Sequence, residues 1–282
     1  MFSSTAIGAG KITEVTKSYI QKNAIILKDR GAIDKRVFDS LKSHLIITIG
    51  EMHGSNEIQD FTRRLAEEYC RNGTHLIVGL EIDRSNQTAI DNYMQSGDDS
   101  MLRSMPHFNT KWDDGRKSIA MASLIRSLQK LPNLRIIAFD SSDIHDAQER
   151  DSKMAQLLLE KIGSDPNARV LLLAGSVHSS AGYGSPFDAH YRPMAYELCH
   201  LQNSKIKPSD VYAIKVIFEK GQTWCMVDGN AVGPHDWRRS DTFTDSIAAN
   251  SYFLPLEKLS EDGYNAVLFI RTLSASRPYI EN

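Results

Sequence analysis

An α/β fold is what this sequence predicts: a single domain with a mostly parallel central sheet and helices on both faces. Three observations carry that expectation. Four short apolar runs, LIITIG, HLIVGLEI, NLRIIAFD and RVLLLAG, read as buried strands and are too short for buried helices. Segments of helical periodicity separate them, the alternation that produces parallel strands. Each run also closes on glycine or an ionisable residue instead of continuing as apolar sequence. The 282 residues, 41% hydrophobic and 24% charged, suit one large globular domain.

The elements follow in order. The first eleven residues, MFSSTAIGAGK, are Ser-rich with no basic residue before Lys11, so 1–11 is expected to be a flexible leader and not a Sec signal peptide. The GAGK at 8–11 is not a P-loop, because Thr5 stands where the first glycine is required and Ile12 where Ser or Thr is required. Residues 12–42 read as one or two charged helices, broken near Gly31 and packed outside the sheet. The first strand runs into Gly50. Asn56, with Gln59 three residues on, reads as the cap of a helix carrying Ile58, Phe61, Leu65 and Tyr69 and stopping at Asn72–Gly73.

The second strand ends on Glu81. Residues 84–131 form a helical insertion between the second and third strands, interrupted around 96–100 and at Met105–Pro106. The third strand ends on Asp140, a helix over 144–162 follows, and the fourth strand closes on Gly175 and His178. A Gly- and Ser-rich loop over 179–193 leads into a short helix over 193–201. VYAIKVIFE and TWCMVD, separated by Lys220-Gly221-Gln222, predict a hairpin, and NAVLFI is the final strand.

Composition excludes several functions. A net charge of −2 gives no electrostatic reason for a nucleic-acid or membrane-surface partner. No apolar stretch is long enough for a membrane span. Three cysteines without a CxxC pair indicate neither a disulfide framework nor a cysteine zinc site. HExxH and GxSxG are absent, which removes the usual support for zincin and serine-hydrolase readings.

The chemistry gathers at the strand ends. Glu51 and His53, Glu81, Asp140 and His178 each follow a different strand, and ligands of open α/β sheets bind outside the carboxyl ends of the strands. Asp140 taken alone is equally a helix cap. GEMH and GSVH both place glycine three residues before histidine, which lets the chain turn sharply there. Glu51 lies two residues from His53, on the same side of extended backbone, where it orients the imidazole or raises its basicity. In the following helix Asp151 falls within the apolar stripe and Arg150 at its border. Arg150 is either half of an internal Arg–Asp pair or a group that holds an anionic intermediate. Asp140 and, after the Gly-rich loop, His190 and Arg192 are candidate substrate contacts. The remaining histidines (His44, His75, His107, His145, His200 and His235) read as surface or packing residues.

The paired GxxH motifs (Gly50 to His53, Gly175 to His178) with Glu81 between them resemble the superfamily of erythromycin esterases, ChaN-like haem-binding proteins and Tiki proteases. GEMHGSNE resembles its first motif, RDSKMA (Arg150 to Ala155) its arginine-bearing helix, LLLAGSVHS its second histidine strand and YNAVLFIRTLSAS (Tyr264 to Ser276) its closing strand. The resemblance spans about residues 45–276. It implies His53 as general base in esterase-like members, with Glu81, Arg150 and His178 in support, and it includes bacterial effectors delivered into host cells.

Three readings follow. The first is a metal-free hydrolase acting on a small-molecule or host-derived substrate, with His53 as base, Glu51 as its orienter, and Arg150 or His178 at the oxyanion. The second makes His53, Glu81 and His178 ligands of a divalent metal. The third is a haem- or partner-binding protein without turnover. With no Sec signal, either a cytoplasmic location or export by a non-Sec system is expected.

Overall fold

A computed structural model describes residues 15–29, 31–109, 114–163, 165, 167–226, 232–239, 243, 247 and 250–280. The expected leader at 1–11 lies outside these residues. Five parallel strands form the middle of the sheet: β2 (Ile46–Glu51), β3 (Leu76–Asp83), β4 (Leu134–Asp140), β5 (Arg169–Gly175) and β6 (Val211–Cys225). β2 is buried along its whole length and β3 over all but its last residue, the near-continuous burial of strands covered on both faces. β9 (Ala266–Leu273) extends the parallel set beside β6, and β8 (Tyr252–Pro255), β1 (Ile25–Ile26) and β7 (Gly233–Arg238) are added through antiparallel pairings. The order is β1-β8-β9-β6-β2-β5-β3-β4, with β7 antiparallel to the far end of β6.

Helices cover both faces. α3 (Glu57–Arg71), α4 (Gln87–Ser96), α5 (Asp99–Ser104) and α6 (Ile119–Gln129) pack on one, where Phe61, Leu65 and Ile125 join Ile47, Val78 and Leu171 in one apolar cluster. α7 (Ala147–Gly163) and α8 (Met194–His200) pack on the other, where Met154, Leu158 and Leu198 meet Ile46, Ile77 and Leu172. α1 (Lys17–Asn23) closes the β8–β9 edge through Ile20, and α2 (Lys35–Leu41) adds Val37 and Leu41 to the first face. α4, α5 and α6 all lie between β3 and β4. Among the described residues no helix is long and apolar enough to cross a membrane.

Three local expectations are corrected. The 12–42 region contains the short strand β1, which pairs Ile25 with Phe253. The Asn56 side chain does not cap α3; its amide donates to Ser274 and Ala275 instead. Lys220-Gly221-Gln222 is not a turn, because β6 runs straight through it and its antiparallel partner is β7, with Gly221 opposite Trp237. Gly221 has φ +127°, and a Cβ there would lie 2.0 Å from the Leu273 carbonyl oxygen. The glycine therefore marks a close strand crossing.

Candidate functional site

The strand order explains why one rim carries the titratable groups. β2, β5, β3 and β4 are consecutive parallel neighbours, so Glu51, Gly175, Glu81 and Asp140 finish at the same edge, with Glu51 directly opposite Gly175. The β3–β4 register shifts between Leu80 and Asp83. An irregularity of this kind re-aims a side chain at a strand end, here that of Glu81.

Two imidazoles bracket the Glu81 carboxylate. His53 Nδ1 lies 3.0 Å from Glu51 Oε1, and its Nε2 lies 3.8 Å from Glu81 Oε2. His178 Nδ1 lies 2.5 Å from Asp151 Oδ1, and its Nε2 lies 3.8 Å from Glu81 Oε1. Each ring thus has its Nδ1 held by one buried acid and its Nε2 turned toward the shared one. The orienting acids are themselves fixed: Gln59 Nε2 donates to Glu51 at 2.7 Å, and the Met194 N–H donates to Asp151 at 2.8 Å.

Glu81 is the hub. Its Oε1 accepts from Arg116 Nη1 at 3.0 Å and Arg150 Nη2 at 3.1 Å, and its Oε2 accepts from the Gly175 N–H at 2.6 Å. Both guanidiniums also reach Asp140, through Arg116 Nη1 at 2.8 Å and Arg150 Nε at 2.8 Å. Arg150 is therefore paired with Glu81 and Asp140, while its neighbour Asp151 serves His178.

The electrostatics follow from this crowding. Burial opposes a charge on His53, but Glu51, Glu81 and Asp114 outweigh it and raise its pKa from 6.5 to about 9. Burial likewise opposes a charge on His178, and Glu81 and Asp151 outweigh it, so that pKa is also raised. Burial would push the Glu81 pKa up; His178, Arg116, His53 and Arg150 instead hold it well below the usual carboxylate range. At neutral pH the His53 imidazole is a cation beside the Glu81 anion, and the same anion draws His178 toward its charged form.

The GxxH glycines do a different job from the expected one. Neither has positive φ; the turn residue is Gly54, at φ +77°. A Cβ on Gly50 would press on the Ser176 backbone at 3.1 Å. A Cβ on Gly175 would sit 3.4 Å from His53 Nε2 and 3.5 Å from both Glu81 and His178, so this glycine keeps open the space between the two rings.

Sequence reasoning missed Arg116, Asp114 and the role of Gln59. Arg116 precedes α6 inside the stretch read as helical, and Asp114 accepts from its Nε at 2.8 Å. Gly115, at φ +96°, brings this loop against the His53 loop so closely that a Cβ would lie 2.6 Å from Gly54 N and 2.7 Å from Trp224 O. A glycine between Asp114 and Arg116 is the one local signal of a tight turn there. His107 is buried as a packing residue, and its Nε2 lies 3.3 Å from the Arg116 carbonyl oxygen. Of the other two candidates, His190 is exposed beside Tyr183, and the Arg192 side chain pairs with Glu197 at 2.6 Å.

The metal reading does not fit this arrangement. Among the described residues no group of three or more His, Cys, Asp or Glu side chains is placed to hold a metal ion. Glu81, the middle member of the suggested set, already accepts from two guanidiniums and a backbone N–H, and those positive groups would oppose a dication. A cleft of about 700 Å³ lined by Phe61, Arg64, Leu268 and Ile270 lies elsewhere and includes none of the site's carboxylates or imidazoles.

Neither a protein-family model nor a curated protein sequence matches the chain. Solved structures do. A Bacillus cereus protein matches with TM-score 0.66 at 13% identity, over 94% of this chain and 98% of its own. A mutant of the erythromycin esterase EreC in its open conformation matches with TM-score 0.63 at 11% identity, over 92% and 99%. The type III effector HopBA1 matches with TM-score 0.50 at 11% identity, over 88% and 97%. The chain thus has the fold of the erythromycin esterase EreC and of the effector HopBA1.

Proposed function

We propose that the chain is an ester hydrolase in which His53 moves the proton. The observation that carries this reading is the double clamp on the imidazoles: each Nδ1 is fixed by a buried acid, and both Nε2 atoms face a common space beside Gly175. In the hydrolytic step His53 Nε2 takes a proton from water, whose oxygen attacks the ester carbonyl carbon. The carbonyl oxygen becomes an oxyanion beside the His178 ring and the Arg150 guanidinium. Collapse breaks the bond to the leaving oxygen, which takes the proton back from His53.

The base form of His53 is the minor one at neutral pH. Its share grows tenfold per pH unit until the pKa of about 9 is passed. With an aryl acetate as probe, kcat/KM is expected to climb with that slope and level off above about 9. Glu51→Gln removes the anion bonded to Nδ1 and is expected to move the limb toward acid by roughly one to two units. A limb that falls with rising pH would make His53 an acid instead. A profile that Glu51→Gln leaves in place, or no hydrolysis above the buffer rate together with a Soret band on addition of haem, overturns the assignment.

Gly175→Ala tests the shared space. Its Cβ would make ordinary contacts at 3.4–3.5 Å, so the melting temperature is expected to hold. A methyl group between the rings is expected to lower kcat/KM by roughly ten- to a hundredfold. Equal activity in the variant would mean that substrate does not enter there.

A second reading, delivery of this activity into host cells, draws on the fold shared with a type III effector. Cellular effects abolished by His53→Ala would support it. Effects that survive mutation of both motif histidines would belong to another surface.

A further inference from the structure

A cleft of about 390 Å³ opens at the ends of β3 and β4, a size within the range of small-ligand sites. Its inner wall is Glu81, Arg116 and Asp140, so it shares with the candidate site the carboxylate that lies 3.8 Å from each imidazole Nε2. Its outer wall includes Asp83, Lys117 and Ser142. Asp83 accepts from the Ser85 N–H at 2.9 Å, the Ser85 hydroxyl at 2.6 Å and the Ser142 N–H at 3.2 Å, which fixes its carboxylate at the rim. Among the described residues no Leu, Ile, Val, Met, Phe, Tyr or Trp side chain lines the cleft; Pro106 is its one aliphatic member and the His107 imidazole its one flat ring.

That lining discriminates between ligand classes. An acyl chain or an apolar ring system seated there would strand ionised groups against hydrocarbon. A ring bearing several hydroxyls has the opposite match, because each hydroxyl both donates and accepts. The walls present carboxylates at Glu81, Asp83 and Asp140 and cations at Arg116 and Lys117, and the Ser142 hydroxyl, which donates to Asp83, keeps its own oxygen as an acceptor.

We infer that this cleft is a subsite for a polyhydroxylated, sugar-like group, so that the ester cleaved beside His53 is an O-acyl carbohydrate or polyol. The inference rests on the hydrolase reading for its chemistry and on the cleft alone for its ligand.

The test is saturation-transfer NMR on the full chain with methyl glucoside, methyl galactoside and inositol as probes and cyclohexanol as the apolar control. At least one hydroxylated probe is expected to bind saturably while cyclohexanol does not. Ser142→Leu, which puts an apolar group at the rim, and the isosteric Asp83→Asn are each expected to weaken that binding by roughly tenfold. In turnover, acetylated hexose is expected to exceed cyclohexyl acetate in kcat/KM by about tenfold. Cyclohexanol binding as well as the hydroxylated probes, or none of those probes binding, overturns the subsite. Aryl-ester hydrolysis without probe binding removes the subsite and leaves the hydrolase, and probe binding without hydrolysis of any ester does the reverse.

Discussion

His53→Ala is expected to lower turnover of an aryl ester by about 10²–10⁴-fold, the usual worth of a positioned proton-transfer group. The variant is expected to fold. His53 sits in the turn after β2, outside the three apolar clusters, and Glu51 keeps its bond from Gln59 when the ring is gone. The missing atom is a single nitrogen facing an open space, so imidazole added to the buffer should restore part of the rate with a dependence on its own neutral fraction. Activity equal to that of the unchanged chain would remove His53 from the chemistry altogether.

Glu81→Ala is expected to act on the fold as much as on the rate. Two guanidiniums and the Gly175 N–H point at this carboxylate, and the Nε2 atoms of two imidazoles stand 3.8 Å away. Removing it leaves buried positive charge without its central partner, a change that costs about 3–5 kcal/mol. Asp140 retains both arginines, which keeps the loss below outright collapse. Urea unfolding followed by far-UV circular dichroism measures the effect. A loss under roughly 1 kcal/mol would show that the charges relax into solvent and that Glu81 is not the hub of the network.

The central sheet was legible because β2 to β5 are buried on both faces, so their apolar runs carry no competing pattern. The acids and histidines at their ends were legible for the same reason: a titratable group directly after a buried run stands out. The edges were not. β1 has two residues, and β7 alternates half-exposed and exposed positions, so neither leaves a hydrophobic signature. Gly221 misled because glycine punctuates turns and also permits close strand crossings, and sequence does not tell these apart. Arg116 was hidden for a more general reason. Its place in the site is set by the approach of Gly115 to Gly54 and Trp224, residues far apart in the chain. Gln59 occupies a cap-like position in sequence, yet its amide turns inward to Glu51.

The approach of those two glycine turns is closed from below by the stretch after β9. Ser276 N–H donates to the Gly54 carbonyl at 2.9 Å, Tyr279 N–H donates to the Lys117 carbonyl at 2.9 Å, and Ser118 pairs with Pro278. The loop that carries His53 and the loop that carries Arg116 are thus buckled to one strap. During synthesis the ribosome makes the site's histidines and arginines before residues 274–279, so a nascent chain holds every ionisable member of the site with nothing yet to fasten the two loops together. Alignment of the two loops is then acquired only once Ser274 to Tyr279 have been made, and a chain stalled before Ser274 carries the charges without the clasp that aligns them.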